Sequence, residues 1–166
     1  MIMTSKFQVK VDKDGNHRIV SKETLPCPIC GGHLAYLSLR MRIVIDIESD
    51  NVVITLIIRR LKCDKCGKIH HELPEGLVVP YKRYCAETIK KIINGDTNTG
   101  VSCENKTISR TLDWWSTVKP YFSAVLKSLT EKFGVRFSEP ATFYETIRAV
   151  VNSNNWIFAR AAMNPE

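Results

Sequence analysis

No apolar run in this 166-residue chain approaches the ~20 residues that a membrane-spanning helix needs. The longest lies within residues 51–58, is strand-length and carries a threonine. Residues 1–10 have neither the apolar core nor the cleavage site of a signal peptide. These absences set aside a membrane partner and lead us to expect a cytoplasmic protein, in a compartment where thiols stay reduced. Internal repeats and low-complexity stretches are also missing. The acidic residues are scattered at turns and helix starts. A strand-transfer nuclease needs several carboxylates gathered around metal ions, so the expectation is no enzyme and no small-molecule substrate. Basic residues, by contrast, are in excess: 24 Lys and Arg against 17 Asp and Glu, a net charge of +7 and a pI near 9.2. That balance suits a nucleic-acid partner, although many small soluble proteins are this basic without one. Hydrophobic residues make up 44% of the chain, enough for a folded core.

The six cysteines are unevenly placed. Cys27-Pro-Ile-Cys30 and Cys63-Asp-Lys-Cys66 are two Cys-x-x-Cys pairs, each followed by glycine: Gly31-Gly32 and Gly67. A Cys-x-x-Cys turn aims two sulfurs at one ion, and two such turns complete a tetrahedral shell. The glycine supplies backbone freedom, often a positive φ, just after the second sulfur. Thirty-two residues separate the pairs, more than the commonest zinc spacing, and a β-hairpin between them accounts for the excess. The reading is one structural zinc ion held by Cys27, Cys30, Cys63 and Cys66 in a zinc ribbon. All four positions are filled by protein, which leaves none for catalytic water. Four thiolates and a divalent ion lower the basic excess without abolishing it. A redox pair would need a single Cys-x-x-Cys opening a helix in a βαβ pattern, which is absent; an iron–sulfur centre stays open. His70 and His71 stand near the second pair and read as connector residues that pack or donate hydrogen bonds near the sulfurs. Cys85 and Cys103 have no such partner and read as small buried residues near helix starts.

The periodicity divides the chain in two. Phe7–Val11 alternates, Asp12–Asn16 is a turn, and Arg18–Ser21 is a return strand. Residues 34–47 and 52–61 read as two long strands joined by a loop at 48–51, with Leu37, Leu39 and Met41 on one face and Arg40 and Arg42 on the other, wet one. Residues 69–84 contain Pro74, Gly76 and Pro80 and read as an extended connector. Beyond Tyr84 the spacing turns helical. Ala86, Ile89, Ile92 and Ile93 form a first helix, stopped at Asn94-Gly95. Ser102 and Asn105 are candidate N-caps of a second, with a stripe of Ile108, Leu112, Trp115, Phe122, Leu126, Leu129 and Phe133. Pro120 should kink or split it, and Gly134 stops it. A third helix carries Phe143, Ile147, Val150 and Val151. The fold class expected is α+β: an N-terminal β-rich zinc ribbon with a hairpin over residues 1–78, then a helical, helix-turn-helix-like part over 79–166.

Basic residues cluster at three places. Lys65 and Lys68 flank the second ligand turn, where they can contact phosphate or compensate the thiolates. Lys82 and Arg83 join the two parts between tyrosines. Lys106, Thr107, Ser109 and Arg110 occupy the start of the second long helix, where a recognition helix presents its side chains to the major groove. The bland alternative for that helix is an amphipathic core helix with a solvated charged face.

Cys-Pro-Ile-Cys-Gly-Gly at 27–32, Leu-Lys-Cys-Asp-Lys-Cys-Gly-Lys-Ile-His at 61–70, Glu-Leu-Pro at 72–74, Pro-Tyr-Lys-Arg-Tyr at 80–84 and Thr-Ile-Ser-Arg with Trp114-Trp115 together resemble a bacterial family of zinc-ribbon proteins of unknown function associated with transposases and mobile elements. The resemblance covers roughly residues 25–115. It implies a ribbon followed by a helix-turn-helix-like segment, double-stranded DNA as partner, and a place at the nucleoid. The functional expectation is a DNA-binding accessory or regulatory protein of a mobile element. The alternative is a protein–protein adaptor docking a transposase or polymerase through the ribbon and an exposed patch around Trp114, Trp115, Tyr121 and Phe122.

Overall fold

The structure is a computed structural model and describes residues 1–46, 52–96 and 103–156. Strands come first: β1 (Ile2–Thr4), β2 (Phe7–Val11), β3 (His17–Ser21), β4 (Leu34–Asp46), β5 (Val52–Cys63) and β6 (Ile69–Pro74). Helices follow: α1 (Ala86–Asn94), α2 (Asn105–Phe133) and α3 (Phe143–Asn152). The chain is thus mixed α and β, with strands N-terminal and helices C-terminal. Among the described residues no helix is long and apolar enough to cross a membrane.

β5 organises the sheet. β4 pairs with it antiparallel along its whole length, from Asp46 opposite Val52 to Leu34 opposite Cys63. On its other edge β3 runs parallel beside Leu56 and Ile57, and β6 runs antiparallel beside Arg60 to Lys62. β2 extends the sheet beyond β3, and β1 extends it beyond β6. The expected zinc ribbon with an N-terminal hairpin is therefore corrected to a six-stranded sheet that takes in the hairpin. Its long β4–β5 hairpin offers too much hydrogen-bonding edge to stay a two-stranded arm, and the N-terminal hairpin docks on that edge. The connector expected at 69–84 contains β6, whose edge β1 covers. The loop expected at 48–51 lies outside the described residues.

Antiparallel partners share a face, and alternate residues take opposite ones. Arg40 lies opposite Ile58, and Arg42 opposite Leu56, both buried. The arginines therefore share the face that carries the core. Leu39, Met41 and Ile43 lie on the other face and are exposed. This corrects the wet-face reading for Arg42, which is half-buried, while Arg40 stays exposed. The reason is the segment after β6, which bridges the free edge of β4 at Ile45 and brings carbonyls within reach of Arg42. Arg42 Nη2 donates to Val79 O (3.2 Å) and Lys82 O (3.1 Å).

α1 ends as its glycine implies, with Gly95 at φ 80°. α2 differs from expectation in three ways. Its N-cap is Glu104, without a side-chain cap bond, Asn105 is its first helical residue, and Ser102 lies outside the described residues. It runs through Pro120 as one element. Pro120 and Ser116 are both exposed, so the carbonyl left without a partner can take water. Its buried face also sits one position off: Thr111 is buried while Leu112 and Phe133 are exposed. The Thr111 hydroxyl makes this tolerable by donating to Thr107 O. Ten residues, Gly95 to Glu104, separate α1 from α2, where a helix-turn-helix has a three- or four-residue turn. The helix-turn-helix expectation is not shown. α3 opens with a capping box: Glu145 N–H donates to Thr142 Oγ1 (3.2 Å), and Thr142 N–H donates to Glu145 Oε2 (2.9 Å).

One buried cluster draws Val44, Leu56 and Ile58 from the sheet together with Val118, Phe122, Ile147 and Val150 from the helices. Residues on both sides of position 78 thus share a core. Asn152 of α3 fastens the two: it accepts from Met3 N–H (2.7 Å) and donates to Met3 O (2.9 Å), with Met3 buried. Replacing Asn152 by Ala should strand both Met3 groups. The expected loss is about 2 kcal/mol or more, in urea unfolding followed in parallel by tryptophan fluorescence and far-UV circular dichroism. The two signals should move together; separate transitions would show that strands and helices unfold independently.

Candidate metal centre

Two turns of the same construction face each other at one end of the sheet. In the first, Gly31 N–H donates to Cys27 O (2.8 Å) and Cys27 N–H to Gly32 O (2.8 Å). In the second, Gly67 N–H donates to Cys63 O (3.0 Å) and Cys63 N–H to Lys68 O (2.9 Å). Gly31 at φ 69° and Gly67 at φ 70° adopt the left-handed conformation that the sequence required of them. Gly32 answers a different constraint. A Cβ there would lie 2.8 Å from Lys65 Cβ and 2.9 Å from Cys63 Sγ, so no side chain fits between the turns.

The sulfurs of Cys27, Cys30, Cys63 and Cys66 all lie within 4.8 Å of one another. Cys27 and Cys66 are 3.7 Å apart, and Cys30 and Cys63 are 3.5 Å apart. Metal–sulfur bonds of ~2.3 Å at tetrahedral angles give sulfur–sulfur edges of about 3.8 Å, so the donor set fits one ion. Cys27 and Cys63 are buried, and Ile2, Leu34 and Leu61 pack beside them as a small second core. The thiols do not behave alike. At Cys63 the Cys66 amide acts first, opposed by burial, and with the Lys65 amide and neighbouring thiols it draws the group down to about 7. At Cys30 the Gly32 amide pulls down, but burial and the three other thiols outweigh it and push the group up to about 12. Thiolates gathered this closely repel one another, and a cation among them offsets that repulsion.

His70 is buried beside this set. Its Nε2 lies 3.4 Å from Cys27 Sγ, and its Nδ1 lies 3.3 Å from the Met1 ammonium. Burial, then the Met1 charge, lowers its pKa. Neutral His70 thus accepts from Met1 at Nδ1 and donates to the Cys27 sulfur from Nε2, a tautomer assigned from its partners. His71 instead accepts from Arg40 Nη1 (3.3 Å). Cys85 precedes α1 with its sulfur 3.1 Å from Thr88 Oγ1, and Cys103 is half-buried just before α2.

The residues singled out for DNA contact fall into separate groups. Lys65 and Lys68 are exposed on the second ligand turn. Lys106, Ser109 and Arg110 are exposed on the first turns of α2, while Thr107 is half-buried. Lys106, Arg110 and Trp114 follow one another at four-residue spacing and share one helix face. Lys82 Nζ sits 4.0 Å from the Trp114 ring centroid, and burial lowers its pKa to about 8. Arg83 beside it is exposed. Lys82 thereby lies against the helix that carries Lys106 and Arg110. The ligand-turn lysines are not brought there. Pro28, on the facing ligand turn, lines a groove at Ser128 and Leu129 of α2, about 27 Å along the helix from Arg110. Both tryptophans are half-buried: Trp115 packs 5.4 Å from Phe143, and Trp114 packs 6.5 Å from Trp156. Of the four residues of the expected exposed aromatic patch, Phe122 is buried, both tryptophans are half-buried and Tyr121 is exposed.

A family model described as a domain of unknown function, DUF6431, matches residues 27–111, and the chain belongs to that family. The match begins at the first cluster cysteine and ends in α2. No curated protein and no solved structure matches the chain.

Stripping the protein with a strong chelator should lower its thermal unfolding temperature, since the second core is closed over the cluster. Gly32→Ala should weaken metal affinity roughly tenfold or more in competition against a chromophoric chelator. Unchanged affinity would mean that the turns separate without cost.

Proposed function

We propose that this DUF6431 protein binds one structural zinc ion through Cys27, Cys30, Cys63 and Cys66 and contacts double-stranded DNA as an accessory or regulatory factor. Zinc is favoured because four thiolates in a closed tetrahedral shell suit it and leave no open position. The observation that carries the DNA reading is the alignment of Lys106 and Arg110 with Trp114, where Lys82 adds its charge and Arg83 follows. A helix start beside such a row offers cations and free amides to phosphate, and Arg110 and Ser109 offer groups able to meet base edges. Lys65 and Lys68 would touch DNA on a separate surface or serve the thiolates. The links to a transposase and to a bacterial nucleoid rest on the sequence resemblance alone. We assign no catalytic role.

The adaptor reading keeps a different surface from the one first expected. Leu39, Met41, Ile43 and Val53 are exposed on the outer face of the β4–β5 hairpin. An apolar stripe of that kind suits a protein partner, whereas the tryptophan helix is engaged internally.

Titrating zinc-loaded protein into a fluorescent duplex at several salt concentrations separates the readings. DNA contact predicts affinity falling steeply with salt. Lys106→Ala and Arg110→Ala should each weaken binding and reduce the logarithmic salt slope by about one. Absence of binding at low salt would remove the DNA reading and leave the sheet face as the surface to pursue.

A further inference from the structure

The segment between β6 and α1 carries Pro80-Tyr-Lys-Arg-Tyr84 and runs as a strap beside β4, bridging its free edge at Ile45. Its hydrogen bonds fix it there. Ile45 N–H donates to Arg83 O (3.0 Å), Cys85 N–H donates to Ile45 O (2.9 Å), and Arg42 Nη2 holds Val79 O and Lys82 O together. Lys82 N–H closes a turn onto Val79 O (3.1 Å), with Pro80 second and Tyr81 third. Tyr81 has φ 61°, a conformation usually left to glycine at that position. Backbone of this kind is kept where surrounding structure imposes it, and it concentrates at binding sites.

Between strap and sheet lies a cleft of about 600 Å³. Arg40, Arg42, His71, Lys82 and Arg83 line it, and no carboxylate does. Among the described residues none of Arg40, Arg42, Arg60 or Arg83 forms an ion pair with Asp or Glu, whereas Arg59 and Arg148 do. The Nε atoms of Arg42 and Arg60 are buried without an acceptor. Burial first, then the charges of Arg40, Arg60, the N-terminus and Arg42, disfavours protonation of His71. Like charges gathered this closely need a counter-charge, and a fixed guanidinium fork is matched by an oxyanion.

We propose that this cleft is a phosphate-binding site, formed by Arg40, Arg42 and Arg83 beside the strap. It goes beyond duplex contact through α2, with which it shares Lys82 and Arg83. The phosphate can be a phosphodiester of a nucleic-acid backbone or a free phosphate, and the experiment distinguishes the two.

Inorganic phosphate would be titrated into zinc-loaded protein and followed by the arginine Nε–H resonances, and a fluorescent duplex would be titrated separately. Arg40→Gln and Arg83→Gln are the variants, since both side chains are exposed, and Arg42 is left to hold the strap. Lys132→Gln, on α2 away from the cleft, controls for total charge. Thermal unfolding checks that the variants remain folded. The expected result is a shift of the Arg42 Nε–H signal with phosphate, and binding at least tenfold weaker in both arginine variants but not in Lys132→Gln. Cleft-dependent binding of duplex identifies the phosphodiester as the source, and cleft-dependent binding of phosphate alone identifies a free phosphate. If neither probe depends on Arg40 and Arg83 more than on Lys132, the proposal is overturned. Loss of duplex binding on Lys106 or Arg110 substitution, with no effect of Arg40 or Arg83, would keep the α2 reading while removing this one.

Discussion

Four sulfur atoms held within 4.8 Å of one another constrain everything at that end of the molecule. As thiols they crowd; as thiolates they repel. Their proximity becomes favourable when a cation takes the centre. The fold prepares that arrangement before any ion arrives. Cys63 ends β5 opposite Leu34, which begins β4, so the two ligand turns are set by the register of one strand pair. Asp64 N–H donates to His33 O (3.2 Å), which ties the second turn to the residue following the first. A slip of one residue between β4 and β5 would move the two turns apart and turn Cys63 to the opposite face. The metal shell and the sheet register are one constraint seen from two ends.

β5 carries that constraint into the rest of the chain. Near the cluster its Leu61 packs in the small core beside the sulfurs, while its Leu56 and Ile58, on the opposite face, pack with the helices. Between these lies the Arg59–Glu72 pair. Glu72 is buried, and both of its oxygens are taken by Arg59, at 2.6 and 2.7 Å. Removing one partner would leave the other charge unpaired in a poorly solvated place, which is far costlier than exchanging the pair for apolar groups. The carboxylate therefore ties β6 to β5 at the point where the second ligand turn returns to the sheet.

The parts legible in the sequence were those with local causes. The two cysteine pairs and their glycines, the period-two runs of β4 and β5, the glycine stop of α1 and the Phe143 to Val151 stripe all follow from residues a few positions apart. What escaped depends on distant partners. β6 breaks alternation because His70 faces the sulfurs and Glu72 faces Arg59. β1 is three residues long and is a strand because β6 offers it an edge. The faces of β4 were assigned in reverse because an alternating strand does not announce which side is covered. Leucine and methionine suggested inside, yet Arg42 occupies that side. On α2, a hydroxyl that bonds its own helix can be buried, so Thr111 took the position expected of Leu112.

The same reversal shapes the functional reading. Arginines on a solvated sheet face would be screened and individually unremarkable. Beside a strap, with the Arg42 Nε lacking an acceptor and no carboxylate in the cleft lining, they form a region of concentrated positive charge. Lys82 belongs to both surfaces. Its backbone carbonyl is held by Arg42, while its ammonium rests on Trp114, in line with Arg110. The strap spans five residues of the motif 80–84, lies within the family match, and connects the cleft to the face of α2 that carries Lys106 and Arg110. A segment with that placement accounts for an otherwise costly combination: a tyrosine at positive φ, a lysine buried enough to lower its pKa, and an arginine spent on backbone carbonyls. Each is unfavourable for stability alone, and together they hold positive charge where an anion can reach it.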